Sequence, residues 1–308
     1  MTTALYSHPS SDTHVTPPGH PERVARMEAV RSALDGVDLD RRDCPMGDMA
    51  DVLRCHPADY IARVEAAIPE NGYVSLDADT HLAPGSLTAA MHAVGGMVAA
   101  VDAVMTGEVA NAFVACRPPG HHAETATAMG FCLFGTAAIG AKHALDVAGA
   151  DRVAVLDFDV HHGNGTQDLL WHEPRALFAS SHQMPLYPGS GAVHETGAHD
   201  NVINAPLAPG SGGAEMRRAW ADMILPAVAD FSPDLIIVSA GFDAAVEDPL
   251  ANLSWTTADF AWVTGAIAQV ANDVAGGRVV STLEGGYDLD ALGAGVRAHV
   301  DVLREQGA

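Results

Sequence analysis

The chain is poor in positive charge. Of its 308 residues, 16 are Lys or Arg and 39 are Asp or Glu, which gives a formal net charge of −23. Such a surface repels phosphate backbones, so we expect no nucleic-acid partner. The same surface attracts or tolerates cationic substrates, although charge of this size also serves solubility alone.

Other features are scarce as well. The 4 cysteines show no CxxC spacing, which argues against a disulfide framework or a zinc knuckle. No apolar run reaches the ~20 residues of a membrane span, and the longest, 86–106, carries His92 and Asp102. The N-terminus lacks the basic and apolar regions of a signal peptide. We therefore expect a cytoplasmic protein with reduced thiols and no membrane partner.

Short β-branched apolar runs alternate with Ala-rich helical patterns along the whole chain. This alternation predicts an α/β fold, a three-layer α/β/α sandwich with a central, mostly parallel sheet. No repeat or linker divides the chain, so we expect one catalytic domain over 1–308. Ser86 and Thr257 are the expected helix N-caps. The predicted strands are 111–116, 152–160, 176–180, 234–241 and 278–286, and the predicted helices are 86–106, 132–148, 213–229, 257–275 and 288–304.

The loops that follow the predicted strands are rich in Gly, His and Asp. In open parallel sheets, ligands bind beyond the carboxyl ends of the strands. This agreement between fold and residue chemistry predicts an enzyme. The loops are 117–124, 156–167, 180–183, 241–249 and 284–288.

Four polar residues in these loops suit a metal ion. In an extended segment, residues two apart share a face, so Asp157, Asp159 and His161 point one way. Such residues lie ~6.5–7 Å apart, which lets Asp159 and His161 both reach a metal at ~2 Å. Asp243 could add a third ligand and leave an open position, the pattern of catalytic zinc, although Fe(II), Co(II) or Mn(II) also fit. The alternatives are a cap for the next helix and, for Asp243, an Asx-turn.

Two further loops carry groups suited to proton transfer. His121 and His122, in RPPGHHA, can both face a cleft because a Pro-Gly loop is not a regular strand. Asp157 and Asn164 are available to fix the tautomers of these rings. Tyr287 follows two glycines in EGGY, and its hydroxyl could donate a hydrogen bond to a developing oxyanion. Surface histidines and a simply packed tyrosine are the alternatives.

These motifs together resemble the histone deacetylase superfamily. The resemblance runs from HPERVARM to EGGYDLDAL and includes RPPGHHAE, DFDVHHGNGTQ, PGSG and GFDAAVEDPL in the family's order. Asn164 and Glu284 stand where one branch has Asp and Gly, which makes the chain similar to the class II branch and its bacterial amidohydrolase relatives. The resemblance implies the arginase-like α/β fold.

The resemblance also implies roles for individual residues. It makes Asp159, His161 and Asp243 the ligands of one zinc ion per chain. His122 would be the general base and acid, with Asn164 as its hydrogen-bond partner. Tyr287 would stabilise the transition state. His121 would pair with Asp157, which with Ser180 and the main-chain carbonyls of Asp159 and His161 would hold a structural potassium ion. The acyl-lysine tunnel would be lined by Gly130, Phe131 and Tyr187, with Leu250 at its mouth. Asp77 or Asp79 would bind the substrate backbone. Arg26 would lie near a product-exit channel.

The expected activity is zinc-dependent hydrolysis of the side-chain amide of acyl-lysine, which is a linear amide. An acetylpolyamine or another small acetylated amine is the alternative substrate, although Leu250 stands where polyamine-selective relatives can carry Glu. A non-catalytic acyl-lysine-binding module is a remote alternative. A two-metal ureohydrolase is excluded because Gly163 and Ala245 cannot act as ligands. The sequence leaves the oligomeric state open between a monomer and a homo-oligomer.

Overall fold

The computed structural model describes residues 2–307. Its main sheet has eight strands, and every pair of neighbouring strands in it is parallel. The predicted α/β architecture is therefore confirmed. The strand order is β2-β1-β5-β10-β9-β6-β7-β8, and β3 and β4 form a separate antiparallel pair. The strands are β1 Thr3–Ser7, β2 Asp40–Asp43, β3 Val74–Ser75, β4 His81–Leu82, β5 Asn111–Ala115, β6 Val153–Asp157, β7 Ala176–Gln183, β8 Val202–Leu207, β9 Leu235–Ala240 and β10 Val279–Leu283.

Helices cover both faces of this sheet. Alternate strand residues enter two separate cores: Val153 and Val155 pack on one side of β6, and Ala154 and Leu156 on the other. Burial on both faces explains why the strands read as continuous apolar runs. The helices are α1 Ala25–Ala33, α2 Met49–Val52, α3 Ala58–Ala66, α4 Ser86–Met105, α5 Thr136–Asp146, α6 Asn164–Leu170, α7 Gly213–Ala219, α8 Leu225–Phe231, α9 Thr257–Val274 and α10 Leu289–Gln306.

The topology gathers the predicted functional loops at one edge. Strands β5, β10, β9 and β6 lie side by side in the centre of the sheet. Because all four are parallel, their carboxyl ends meet, although β5 and β10 are far apart in sequence. The loops after these four strands carry the histidine pair, the tyrosine and the predicted metal ligands.

Several predicted boundaries were wrong. Gly85 and Thr256, one residue before the predicted caps, are the N-cap residues of α4 and α9, and Thr256 forms a capping box with Asp259. The predicted helix 213–229 is interrupted by a π-helical turn at Trp220–Ile224. Strands β1, β2 and β8 were not predicted, because they are short or carry polar residues.

Helix α4 is long and apolar enough to cross a membrane by composition. However, 72% of its most apolar 18-residue stretch is buried inside the fold. It packs against α5 and the strands of one core, which accounts for its apolar character.

Candidate active site

Side chains from the loops after β6 and β9 converge on one buried point. Within residues 2–307, Asp159, His161 and Asp243 form the group whose ligating atoms are spaced for a metal ion, all within 4.8 Å of one another. His161 Nδ1 lies 3.2 Å from Asp159 Oδ1 and 3.1 Å from Asp243 Oδ2. Two carboxylates and one imidazole suit a divalent cation with an open coordination position.

Main-chain N–H groups hold these carboxylates in place. Asp159 Oδ1 accepts the N–H of His161 at 2.9 Å, and its Oδ2 accepts the N–H of Gly285 at 2.8 Å. Asp243 Oδ1 accepts the N–H of Val160 at 2.9 Å. The predicted strand 152–160 was wrong at its end, since β6 stops at Asp157 and these bonds replace the ladder beyond it. The ligands therefore converge in a loop, not on one strand face.

Two glycines make room for the carboxylates. A Cβ at Gly285 would collide with Oδ2 of both Asp159 and Asp243, and a Cβ at Gly241 would collide with Asp159. The carboxylates thus occupy space that any side chain at these positions would need. This cradle fits a cation whose ligands must approach the backbone closely.

The charges in this cluster are strongly coupled. Burial and the neighbouring Asp159 raise the pKa of Asp243 to about 7. Burial would lower the pKa of His161, but its contacts with the two carboxylates raise it to about 10. Two buried carboxylates on one imidazole need balancing positive charge, which a divalent cation supplies.

The two histidines of the loop after β5 have different partners. His121 Nδ1 lies 2.9 Å from Asp157 Oδ2, and His122 Nδ1 lies 2.7 Å from Asn164 Oδ1. The ring centroids are 4.0 Å apart. His122 lines the cleft described below. Asp157 and Asn164 thus stand where the sequence analysis expected them.

Their environments push the two pKa values apart. Burial would lower the pKa of His121, but the carboxylates of Asp159 and Asp157 raise it well above the usual value. Burial, with His121 and His161 nearby, lowers the pKa of His122 well below the usual value. These opposite shifts favour a proton on His121 and a neutral His122, a division suited to acid and base roles.

Glu284 links the loop that carries His121 and His122 to the central strand β9 by hydrogen bonds. Its Oε2 accepts the N–H groups of Gly120 at 2.7 Å and His121 at 3.2 Å, and its Oε1 accepts the Ser239 hydroxyl at 3.0 Å. The side chain is fully buried, and burial raises its pKa to about 7. Sequence reasoning used Glu284 only as a mark of the family branch and missed this contact.

Tyr287 follows the glycine loop after β10. Its N–H donates to Asp248 Oδ2 at 2.8 Å. The Arg26 guanidinium lies 5.1 Å from its ring centroid, and Arg26 Nε donates to the Gly286 carbonyl at 2.7 Å. Burial, reinforced by Asp243, raises the pKa of Tyr287 well above its usual value. The phenol therefore keeps its proton and is able to donate a hydrogen bond.

A cleft of ≈320 Å³ reaches His122, His161 and Tyr287. The Tyr187 ring lies edge-on to His122, with centroids 5.1 Å apart, and the Phe131 ring lies edge-on to Tyr287 at 5.9 Å. The predicted residues of this wall are all present in it: Gly130, Phe131, Tyr187 and Leu250.

Asp77, a predicted substrate-binding residue, is not among the residues that line the cleft. Its Oδ1 accepts the N–H groups of Asp79 at 3.1 Å and Thr80 at 2.6 Å, so this oxygen shapes the turn between β3 and β4. Asp79, the other residue considered for this role, does line the cleft. Of the two candidates, Asp79 and not Asp77 therefore lies in the cleft wall.

Sequence reasoning missed several residues of the cleft wall. His20 Nδ1 accepts the N–H of Glu22 at 3.1 Å, so Nε2 carries the proton and donates to the Asp79 carbonyl at 3.0 Å. Its ring lies edge-on to Phe131, with centroids 4.8 Å apart. The only signal was its position in HPERVARM. The other missed residues are Pro21, Ala78, His81 and Leu186.

The fold and this site bring together a buried triad that could hold a cation, a histidine pair and a tyrosine at one cleft. The sequence matches the Histone deacetylase domain family over residues 20–303. This chain therefore belongs to the histone deacetylase family, and its activity is that of a deacetylase or amidohydrolase.

Individual relatives agree with this assignment. The chain is 42% identical to the uncharacterized protein slr0245 of Synechocystis, covering 92% of this chain and 93% of that one. It is 39% identical to the histone deacetylase-like amidohydrolase of Pseudomonas aeruginosa, over 89% and 74% of the two chains. The crystal structure of the HDA15 HD domain superposes with a TM-score of 0.91 at 33% identity, covering 97% of this chain and 90% of that chain.

Proposed function

We propose that this protein removes acetyl or other acyl groups from the side-chain amide of acyl-lysine, with zinc as its metal. The observation that carries the proposal is the meeting of the Asp159–His161–Asp243 cluster with His122 and Tyr287 at one cleft. The donor set suits zinc and would also accept Fe(II).

The chain's own residues account for proton transfer and charge stabilisation. Zinc held by the cluster would supply Lewis acidity toward the amide carbonyl and water. His122 accepts the proton of the attacking water through Nε2, because its Nδ1 is engaged by Asn164. The Tyr287 hydroxyl donates to the carbonyl oxygen as negative charge develops there. A protonated histidine then returns a proton to the departing amine.

The cleft wall favours acyl-lysine over a small polyamine. Phe131 and Tyr187 present aromatic surface suited to the methylene chain of either substrate. Leu250 favours acyl-lysine, because its apolar side chain cannot bind a distant ammonium group. Asp79 supports the second candidate, an acetylpolyamine, since its carboxylate could hold a distant ammonium group.

A structural potassium ion is a further part of the proposal. Asp157 and Ser180 are register partners on β6 and β7, which brings their oxygens to the same edge of the sheet. Oxygen donors of this kind suit a hard cation. The ion would support the loop that carries Asp159 and His161.

The decisive experiment compares kcat/KM of the zinc-loaded protein on an acetyl-lysine peptide and on acetylputrescine. We expect a peptide preference of at least tenfold, about 1.4 kcal/mol. A preference for acetylputrescine would replace acyl-lysine by the small-amine substrate. Bound zinc with no turnover of any acyl amide would contradict the hydrolase and favour a binding module.

A further inference from the structure

We propose that Glu124 is a positioning residue that fixes the tautomer of His122 through Asn164. The inference rests on the proposed function and deepens it. Glu124 ends the RPPGHHAE motif, two residues after His122, and Asn164 is the first residue of α6. The three side chains form a chain of hydrogen bonds that begins at the half-buried Glu124 and ends at the cleft.

The direction of this chain follows from what each group can do. Asn164 Nδ2 donates to Glu124 Oε1 at 2.8 Å, and Asn164 Oδ1 lies 2.7 Å from His122 Nδ1. A carboxylate only accepts hydrogen bonds, whereas an amide has one donating and one accepting end. The reversed amide would place its oxygen against the carboxylate. The His122 carbonyl also accepts from Nδ2, but at 3.5 Å, so Glu124 is the stronger of the two acceptors that select the orientation seen.

The amide orientation then selects the histidine tautomer. Because Asn164 offers His122 an oxygen, Nδ1 of His122 must carry the ring proton and Nε2 is left with its lone pair. His121 also carries a proton on Nδ1, which it donates directly to the Asp157 carboxylate at 2.9 Å. Glu124 thus keeps a proton on Nδ1 of His122 through one amide, whereas Asp157 does so for His121 by direct contact.

The first test is Glu124→Gln in the zinc-loaded enzyme. An amide at this position can donate or accept, so Asn164 loses its fixed orientation and part of the population carries the proton on Nε2. We expect kcat to fall at least about tenfold with KM changed less than about twofold, since a wrong tautomer removes the base. An unchanged kcat in an active enzyme would overturn the proposal.

A matched control separates positioning from loop anchoring. Asp168 Oδ2 accepts the N–H and the hydroxyl of Thr125, at 2.8 and 2.6 Å, and so ties the same loop to α6 without touching the amide. Asp168→Asn should keep kcat near that of the native enzyme. An equal loss of kcat in Asp168→Asn and Glu124→Gln would mean that Glu124 only anchors the loop.

Two further measurements keep the test decisive. In an Asn164→Asp background a carboxylate contacts His122 directly, so Glu124→Gln should there cost less than about threefold; an undiminished loss would contradict the relay. Ring ¹⁵N chemical shifts of His122 in the metal-free protein, assigned against His122→Gln, should show the proton on Nδ1 in the native chain and a mixture in Glu124→Gln. This readout needs no turnover, so an inactive native protein would refute the proposed function while the shifts still decided the tautomer.

Discussion

Asp243 shows how one carboxylate serves both the fold and the chemistry. Its Oδ1 joins the loop after β9 to the loop after β6 through the Val160 N–H, and its Oδ2 faces His161. The side chain is fully buried, and burial raises its pKa to about 7. Its charged form is stabilised by His161, and a cation held by the cluster would stabilise it further.

Replacing this carboxylate should remove the metal. We expect Asp243→Ala to lose zinc and activity together, because the remaining two ligands cannot hold a catalytic cation tightly. Metal content by atomic spectroscopy, with circular dichroism to verify folding, checks this. Stoichiometric zinc with full turnover would reject Asp243 as a ligand.

Tyr287 should affect turnover without affecting the metal. Its phenol stays protonated, so Tyr287→Phe removes one hydrogen bond to the developing oxyanion. We expect a loss of about 2–4 kcal/mol of transition-state stabilisation, seen mainly in kcat, with zinc retained. An unchanged rate would exclude Tyr287 from the reaction.

At the scale of elements, the turn between β3 and β4 supports the cleft wall. Phe131 has a φ of 69°, in the left-handed region, and its N–H donates to the Thr80 hydroxyl at 3.1 Å. Thr80 is fully buried, and the carbonyl of the adjacent Asp79 accepts a hydrogen bond from His20 Nε2. One side of the cleft therefore depends on a short hairpin held by a few polar contacts.

Thr80→Val should loosen this wall and spare the chemistry. The change keeps the volume but leaves the N–H of the strained Phe131 without its acceptor. We expect KM for the peptide to rise severalfold while kcat changes less than about twofold. Thr106→Val, the same change at the exposed end of α4, serves as control. A fall in kcat with unchanged KM would place Thr80 in the catalytic step.

On the scale of the whole molecule, several buried histidines are neutral parts of the core. Burial lowers the pKa of His299 to about 3, and its nitrogens lie 2.8 Å from the hydroxyls of Thr264 and Ser281. Burial likewise lowers the pKa of His56 to about 4, and His56 Nε2 accepts the N–H of Gly135. Protonating His56 in the folded state would break the bond from Gly135, and protonating His299 would place an unpaired charge in the core.

These histidines contribute stability that is lost on acidification, whereas Asp243 and Glu284, whose pKa values are raised to about 7, act in the opposite direction. The unfolded chain binds the histidine protons near pH 6.5 and the folded chain only near pH 3–4, so the unfolded state gains protons within that window. Each such histidine costs ~1.4 kcal/mol of unfolding free energy per pH unit there. Urea unfolding of the metal-free protein at pH 5 and 7 measures the slope, and His299→Gln should reduce it by one proton. An unchanged slope in that variant would show that His299 does not titrate as inferred.

Local sequence was sufficient for the sheet's central strands and for most groups of the site. The apolar runs marked β5, β6, β7, β9 and β10, and the residues after them include the triad, the histidine pair and Tyr287. The polar β2 and the two-residue β3 and β4 left no such pattern, because these strands are short and mostly exposed or half-buried and so contain no continuous apolar run.

The sequence by itself determined the kinds of group available and, through parallel strands, the edge where they meet. Only the tertiary structure decided the partners. In the folded chain the Asp77 carboxylate accepts hydrogen bonds within a turn, and Asp79 lines the cleft. Glu284 accepts the N–H groups of Gly120 and His121. Glu124 accepts a hydrogen bond from the Asn164 amide. Strand and motif patterns follow from local periodicity, whereas hydrogen-bond partners follow from how strands such as β5 and β10, more than 160 residues apart, are placed side by side.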